Sequence, residues 1–333
     1  DRRTTAWRAT LYLGLASMVL LAALLMIGTQ AGFTFSGLKD FMASGRELAH
    51  AELIGALLIA GFGTLISLFP FHSWAAPAYA SAPAPVAMMH AGVLKKFGLY
   101  GLFMFQPLME TGFLPWTNIL LVLLVCNVIW VGYVTVNQKR LDLLLGNSSV
   151  MHMGYIFLAF AALVVSGSAE ANPWALKGAA LLMLAHGLTI ALLFLLCGQI
   201  EKQTGTLEIN SLGGLSTRLP RMAFVFGLAG MASIGLPGLA NFPGEFMVFF
   251  SGFAGFSNGF GPVQIATILC LWGLVIGAVY MLRAYRNIFQ GDLSKASAYA
   301  TGLQPSERAA NCFLVIALAV FGFFPTLVLQ FFS

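Results

Sequence analysis

Charge is scarce in this 333-residue chain: Asp, Glu, Lys and Arg together make up 9% of it. A soluble domain carries about 25%. The chain therefore cannot cover itself with polar surface, and lipid must cover much of it. Cysteine is scarce too. Cys126, Cys197, Cys270 and Cys312 lie in separate apolar runs, a spacing that fits neither a metal or iron–sulfur set nor a disulfide framework. No hydrophilic stretch is long enough for a soluble domain, and the longest, about 201–221, reads as a connecting loop. A phosphate-binding loop is missing as well, because the glycines sit inside apolar runs with no strand before them. The net charge of +5 does not indicate nucleic acid, since the basic residues fall in short clusters between apolar runs. Nothing resembles hydrolytic or redox chemistry, so no catalytic residue is assigned.

What the chain has in plenty is long apolar runs. A membrane helix needs about 20 such residues. Nine candidate runs are present, near 9–29, 52–70, 86–106, 117–136, 143–166, 174–199, 222–253, 264–289 and 309–332. Barrel strands are half as long and alternate, so the reading is an all-α integral membrane protein. The basic residues choose a side. Arg2, Arg3, Arg8, Lys139, Arg140, Lys202, Arg218, Arg221, Arg283, Arg286, Lys295 and Arg308 share one side of the membrane. The opposite loops carry Lys only at 39 and Arg only at 46, balanced by Asp40 and Glu47. The positive-inside rule then puts the N-terminus in the cytoplasm and the C-terminus outside.

Two runs are interrupted. The second enters "SLFPFHSWAAPAYASAPAP" with Pro70, and the seventh contains "GLPGLANFPGEF" with Pro237 and Pro243. Proline removes a helical N–H and clashes with the preceding turn. The two runs stand five apart in chain order and so cross in opposite directions. Such a pair points to inverted repeats around a polar site near the midplane.

Ionisable residues inside the runs are few, and a charge at mid-bilayer costs at least about 2.5–3.5 kcal/mol on insertion scales. Glu245, beside the proline and glycine of the second interruption, has the strongest case for a task. Lys96, His186 and His152 follow. Lys95 is expected to point away from Lys96 and snorkel to the interface. His90, His72, Asp142 and Arg140 are further candidates. Desolvation penalises charged forms and histidine titrates near neutrality. Groups of this kind, aligned along one wet path, form a proton relay.

The motifs "FHSWAAPAYASAPAPV", "HAGVLKKFGLYGL", "NSSVMHMGY", "LAHGLTIALLFLLCGQIEKQTGT", "LGGLS" and "SIGLPGLANFPGEF" together resemble, in this order, the antiporter-like membrane subunits of respiratory complex I and of multisubunit cation/proton antiporters. The glutamate of "PGEF" is similar to that of the chain 4 (subunit M) type of NADH–quinone oxidoreductase, and the D-type cation antiporter subunit shares it. The resemblance implies fourteen helices in inverted five-helix repeats, of which the nine runs would be the last nine. It also implies that five helices are missing from an N-terminally truncated sequence. Residues 1–136 would then hold the rest of the first repeat and the start of the second. The second repeat would fill 137–290, with its broken helix at 222–253, and 291–333 would be the C-terminal helix.

On this resemblance Lys96 is the central lysine, His152 and His186 form the connecting axis, and Glu245 exchanges protons with one membrane face. The transported ion would be H⁺, with Na⁺ as the alternative. NADH, FMN, Fe–S clusters and quinone would be bound by partner subunits and none by this chain. A non-pumping scaffold is the third reading. Two positions depart from the family pattern. Leu65 stands where a lysine is expected, and Arg140-Leu141-Asp142 stands where Asp-Leu-Lys is expected.

Overall fold

The computed structural model describes residues 2–254 and 259–332. Residues 255–258, within the 251–262 stretch read as a charge-free outer loop, lie outside the described residues, as do Asp1 and Ser333. Helix α1 (Arg2–Ala31) and a short α2 (Phe35–Ala43) lead into the first interrupted span. That span is α3 (Ala51–Ile66), a turn, and α4 (Ala75–Ser81). The third span is α5 (Ala84–Met89), a π turn over His90–Leu94, and α6 (Lys96–Phe105). A short α7 (Glu110–Phe113) precedes α8 (Thr117–Val136), and α9 (Leu141–Ser166) and α10 (Pro173–Thr204) run uninterrupted. After α11 (Leu215–Arg218) comes the second interrupted span, α12 (Pro220–Ser233) and α13 (Asn241–Ser251). Helices α14 (Pro262–Phe289), α15 (Pro305–Phe323) and α16 (Thr326–Leu329) follow.

Among the described residues, six helices are long and apolar enough to cross a bilayer. The other three expected spans are the two interrupted ones and the one with the π turn. Two expectations change in detail. The run 86–106 is not one continuous helix, because the π turn divides it. The last run also breaks, since α15 ends at Phe323 and Pro325 caps the separate α16.

Burial sorts the helices into a centre and a rim. In α9 94% of the apolar window is buried, against 22% in α1 and 11% in α15. Helix α9 is buried on every side, its few polar residues included, and α4, α8, α10, α13 and α14 pack around it. Two glycine crossings bring the next layer close. A side chain at Gly92 would press on the Gly187 carbonyl at 3.1 Å, and one at Gly187 on the Gly92 carbonyl at 2.7 Å. The second crossing joins α13 to α10, where side chains at Gly244 and Gly178 would sit 2.7 Å from Leu182 N and 2.9 Å from Val248 N. These contacts let backbones approach without intervening side chains, the usual device where lipid offers no hydrophobic drive between helices.

The first break is held by side chains. Backbone groups freed inside a membrane need partners. Trp74 Nε1 donates to the Thr64 carbonyl at 3.1 Å, and Asn127 Nδ2 donates to the Ser67 and Val150 carbonyls, each at 3.2 Å. Asn127 Oδ1 accepts from Phe69 N at 2.5 Å. One buried amide on α8 thus ties the break to α9.

Candidate functional site: a buried line of polar side chains

The centre of α9 carries Ser148, Ser149 and His152, all buried. His152 Nδ1 faces its own helix, 2.8 Å from the Ser148 carbonyl. Its Nε2 lies 2.9 Å from the Ser233 carbonyl. That carbonyl is available for a reason visible in the chain. In a continuing helix it would accept from the N–H four residues on, but residue 237 is proline and has none. The helix ends before Gly235, whose φ of +80° turns the chain away, and the proline of "GLPGL" adds no N–H, so the oxygen that His152 meets is left free. A neutral imidazole has one N–H and two carbonyls face it here, so only the protonated ring donates to both.

His186 of α10 stacks on His152 with ring centroids 5.0 Å apart. Its Nε2 is 3.2 Å from Ser149 Oγ, and its Nδ1 has no partner among the described residues. On the far side of α9, Ser148 Oγ and Tyr280 Oη lie 2.7 Å apart. Lys95 Nζ reaches the Ser149 carbonyl at 3.4 Å and stands 5.8 Å from the centre of the Tyr79 ring. His90 packs against the same tyrosine, with centroids 5.4 Å apart.

Lys96 is buried, and Lys95 departs from expectation. Lys95, expected to snorkel, is fully buried in the protein. The π turn supplies the reason. Lys95 N bonds the His90 carbonyl five residues back, so the turn holds one residue more than an α turn. An extra residue rotates the downstream helix by about 100°, and this swings Lys95 inward. Lys96 lines a groove of about 960 Å³ whose other walls are mostly apolar, including Phe97, Tyr100 and Met183, and its ammonium bonds the Ala91 carbonyl of its own turn.

Glu245 is buried on α13 beneath the break. Gly235, at φ +80°, lies against it so closely that a side chain there would collide with the carboxylate. Glu245 Oε1 has no partner among the described residues. The carboxylate lines a cavity of about 390 Å³ walled by Phe242, Phe246, Phe249, Phe250 and Phe253. Between it and the histidines, Thr189 on α10 donates to Asn241 Oδ1 at 2.9 Å. Tyr155 leans on His152 from one side and Phe249 from the other, and its hydroxyl has no partner among the described residues.

The remaining candidates lie apart from this line. Arg140 and Asp142 form their own ion pair, at 2.6 and 3.2 Å, at the start of α9, and Asp142 also accepts from Leu143 N. Hydrogen bonding to that carboxylate raises the Arg140 pKa. An acidic residue in a helix's first turn suits the helix dipole, so the order Arg-then-Asp makes a stable helix start. His72 lies in the first break, stacked on Phe69. Pro70 stands in that turn, and Pro243 in the first turn of α13, where no N–H is needed. Leu65 is half-buried near the end of α3.

Residues 1–271 match the family described as NADH:quinone oxidoreductase/Mrp antiporter, transmembrane. The chain belongs to that family. A NAD(P)H-quinone oxidoreductase chain 4 of Synechococcus elongatus is 36% identical over 99% of this chain and 60% of its own length. One from Microcystis aeruginosa is 34% identical over 94% of this chain and 55% of its own length. The chain thus spans little more than half of these curated relatives. Among solved structures, a chain of respiratory complex I from Thermus thermophilus with bound NADH superposes with a TM-score of 0.86 at 26% identity, over 99% of this chain and 67% of that one. A chain of the Mrp complex from Dietzia shares the fold, with a TM-score of 0.77 at 18% identity over 98% of this chain and 66% of that one. This is a multi-pass membrane protein of the antiporter-like fold.

Sequence reasoning missed Lys95, Tyr79, Tyr280 and Ser233 as members of the site. Only Ser233 left a legible trace, in its four-residue spacing from Pro237. The inward turn of Lys95 depends on the π turn, which no proline or cap announces.

Proposed function

We propose that this chain is part of a proton-translocating membrane-arm subunit of an NADH–quinone oxidoreductase. The observation that carries this is the run of buried polar neighbours Lys95, Ser149, His186 and His152, with Lys96 buried beside it and Glu245 buried beyond. Groups costly to bury are gathered on and around α9, the helix most remote from lipid, which fits a conducting path better than packing. The lysine pair is the hub, with Lys96 at the family's lysine position. The histidines pass protons, His152 holding one between two carbonyls, and Glu245 exchanges with one membrane face. The unpartnered atoms of His186, Tyr155 and Glu245 are positions that water would satisfy.

Redox cofactors, NADH, FMN, Fe–S clusters and quinone, belong to partner subunits in this reading. The antiporter-like neighbours and lipid cover the outer helices. The chain lies in a bacterial inner membrane with its N-terminal end cytoplasmic and its C-terminal end outside. Its parts divide as 1–136, 137–290 and 291–333, the first half-channel lacking its lysine at Leu65.

Glu245→Gln in the assembled complex tests this. NADH-driven quinone reduction should continue while the number of protons moved per electron falls. An unchanged ratio overturns the reading. Na⁺-dependent transport without NADH would favour a cation/proton antiporter subunit, whose D-type member shares the glutamate. A normal ratio in every relay variant would leave a scaffold.

A further inference from the structure

The cavity beside Glu245 has walls that a proton path alone does not explain. They are built from Phe242, Phe246, Phe249, Phe250, Leu271 and Leu274, and Glu245 is the one ionisable group on the lining. Its Oε1 is buried and has no partner among the described residues, and neither ion pair found among them includes it. A buried carboxylate without a partner is costly, and the cavity is where a partner would sit. Three of the rings form a row on one face of α13. Phe242, Phe246 and Phe250 stand four residues apart, with neighbouring centroids 6.0 and 5.3 Å apart. Phe249 takes the inner side, 5.3 Å from Tyr155. Phe246 and Phe250 are 51% and 52% exposed, so the cavity opens on the outer surface of the bundle.

We propose that this cavity binds a lipophilic organic cation, an alkyl- or arylammonium that reaches it from the lipid side. Aromatic faces attract cations, quaternary ammonium groups among them, and the carboxylate supplies the opposite charge. A bare Na⁺ is held by several oxygens, and the wall side chains offer those of Glu245 alone. The volume of about 390 Å³ suits a small organic molecule. The ammonium lies against Glu245 and the apolar body against Phe246, Phe249 and Phe250. No covalent bond changes, and where the carboxyl holds a proton the cation displaces it. Binding does not depend on the transport reading, but one consequence does. A cation seated there occupies the carboxyl assigned to proton exchange and stops that exchange.

The test is equilibrium binding of tritiated naphthylmethyl-trimethylammonium, whose charge is permanent, to the purified complex in a non-ionic detergent. The control is its neutral isostere, with carbon in place of nitrogen. Wild type should bind the probe saturably, and the isostere should not displace it. Glu245→Gln should weaken that binding at least about thirtyfold. Phe246→Leu keeps the bulk without the ring and should weaken it about fivefold. Equal affinity in Glu245→Gln overturns the proposal, and so does displacement by the isostere, because either means that the apolar body alone is held. Should Glu245→Gln fail to assemble, as judged by native gels, Phe246→Leu and the isostere decide. The second readout is proton translocation per electron in liposomes, driven by NADH and a short-chain quinone with the membrane potential clamped by K⁺ and valinomycin. The probe should lower this ratio while quinone reduction continues. Binding that is lost in Glu245→Gln beside an unchanged ratio keeps the site and removes Glu245 from the transport reading.

Discussion

Gly235 shows how far a single position constrains the site. Its backbone is left-handed, and the space where a side chain would go is filled by the Glu245 carboxylate. Any L-residue there meets both penalties. The backbone strain alone is about 1–2 kcal/mol, and the carboxylate must also move. Gly235→Ala should therefore assemble less well than wild type. In the fraction that assembles it should lower protons per electron, read by the same liposome assay, although residue 235 carries no ionisable group. His152 is constrained by acceptors instead. Two carbonyls, from Ser148 and Ser233, define where its proton sits. The Ser233 oxygen is marked in the sequence only by its spacing from Pro237, and that His152 reaches it is settled by how α9 packs on α12.

At the level of elements, the breaks matter more than the helices. Pro237→Ala restores an N–H that can compete with His152 for the Ser233 carbonyl. Residue 237 lies in the turn between α12 and α13, where proline restricts the unfolded chain, so the variant should be less stable than wild type by only about 0.4–1 kcal/mol. It should translocate fewer protons at an unchanged rate of quinone reduction. Equal stoichiometry in Pro237→Ala would mean that His152 does not use that oxygen. The two proline-interrupted spans were legible in the sequence because proline and glycine act locally. So was the polar weight of Glu245, His152 and His186, because charge in a long apolar run is conspicuous. The π turn was not legible. It lies where Gly92 packs on Gly187 of α10, a contact distant in the chain. That one extra residue turns Lys95 inward beside the buried Lys96, where strict 3.6-residue periodicity had it snorkel. The Arg140–Asp142 pair was legible as a reversal of charge, but its role at a helix start needed the ion pair itself.

Across the whole molecule, polar fasteners hold the outer helices to the centre. Gln199 of α10 and Asn311 of α15 exchange two hydrogen bonds, at 2.9 and 3.1 Å, in an otherwise apolar contact. Just beyond, Lys202 and Glu307 pair at 2.8 Å. Gln199→Leu or Asn311→Leu alone strands a buried amide and should destabilise the α15 contact by about 1–3 kcal/mol. The double variant should recover most of that loss, measured as detergent resistance of the assembled complex. A double variant no better than the singles would show that the amide pair is not what fastens α15. The placement of α9 has a different consequence. Because neighbouring helices wall it off from acyl chains almost completely, thinner or thicker bilayers are felt first by α1 and α15, the outermost helices. The stacked histidines His152 and His186, both buried, are thereby insulated from the fluidity and composition of the fat around the molecule.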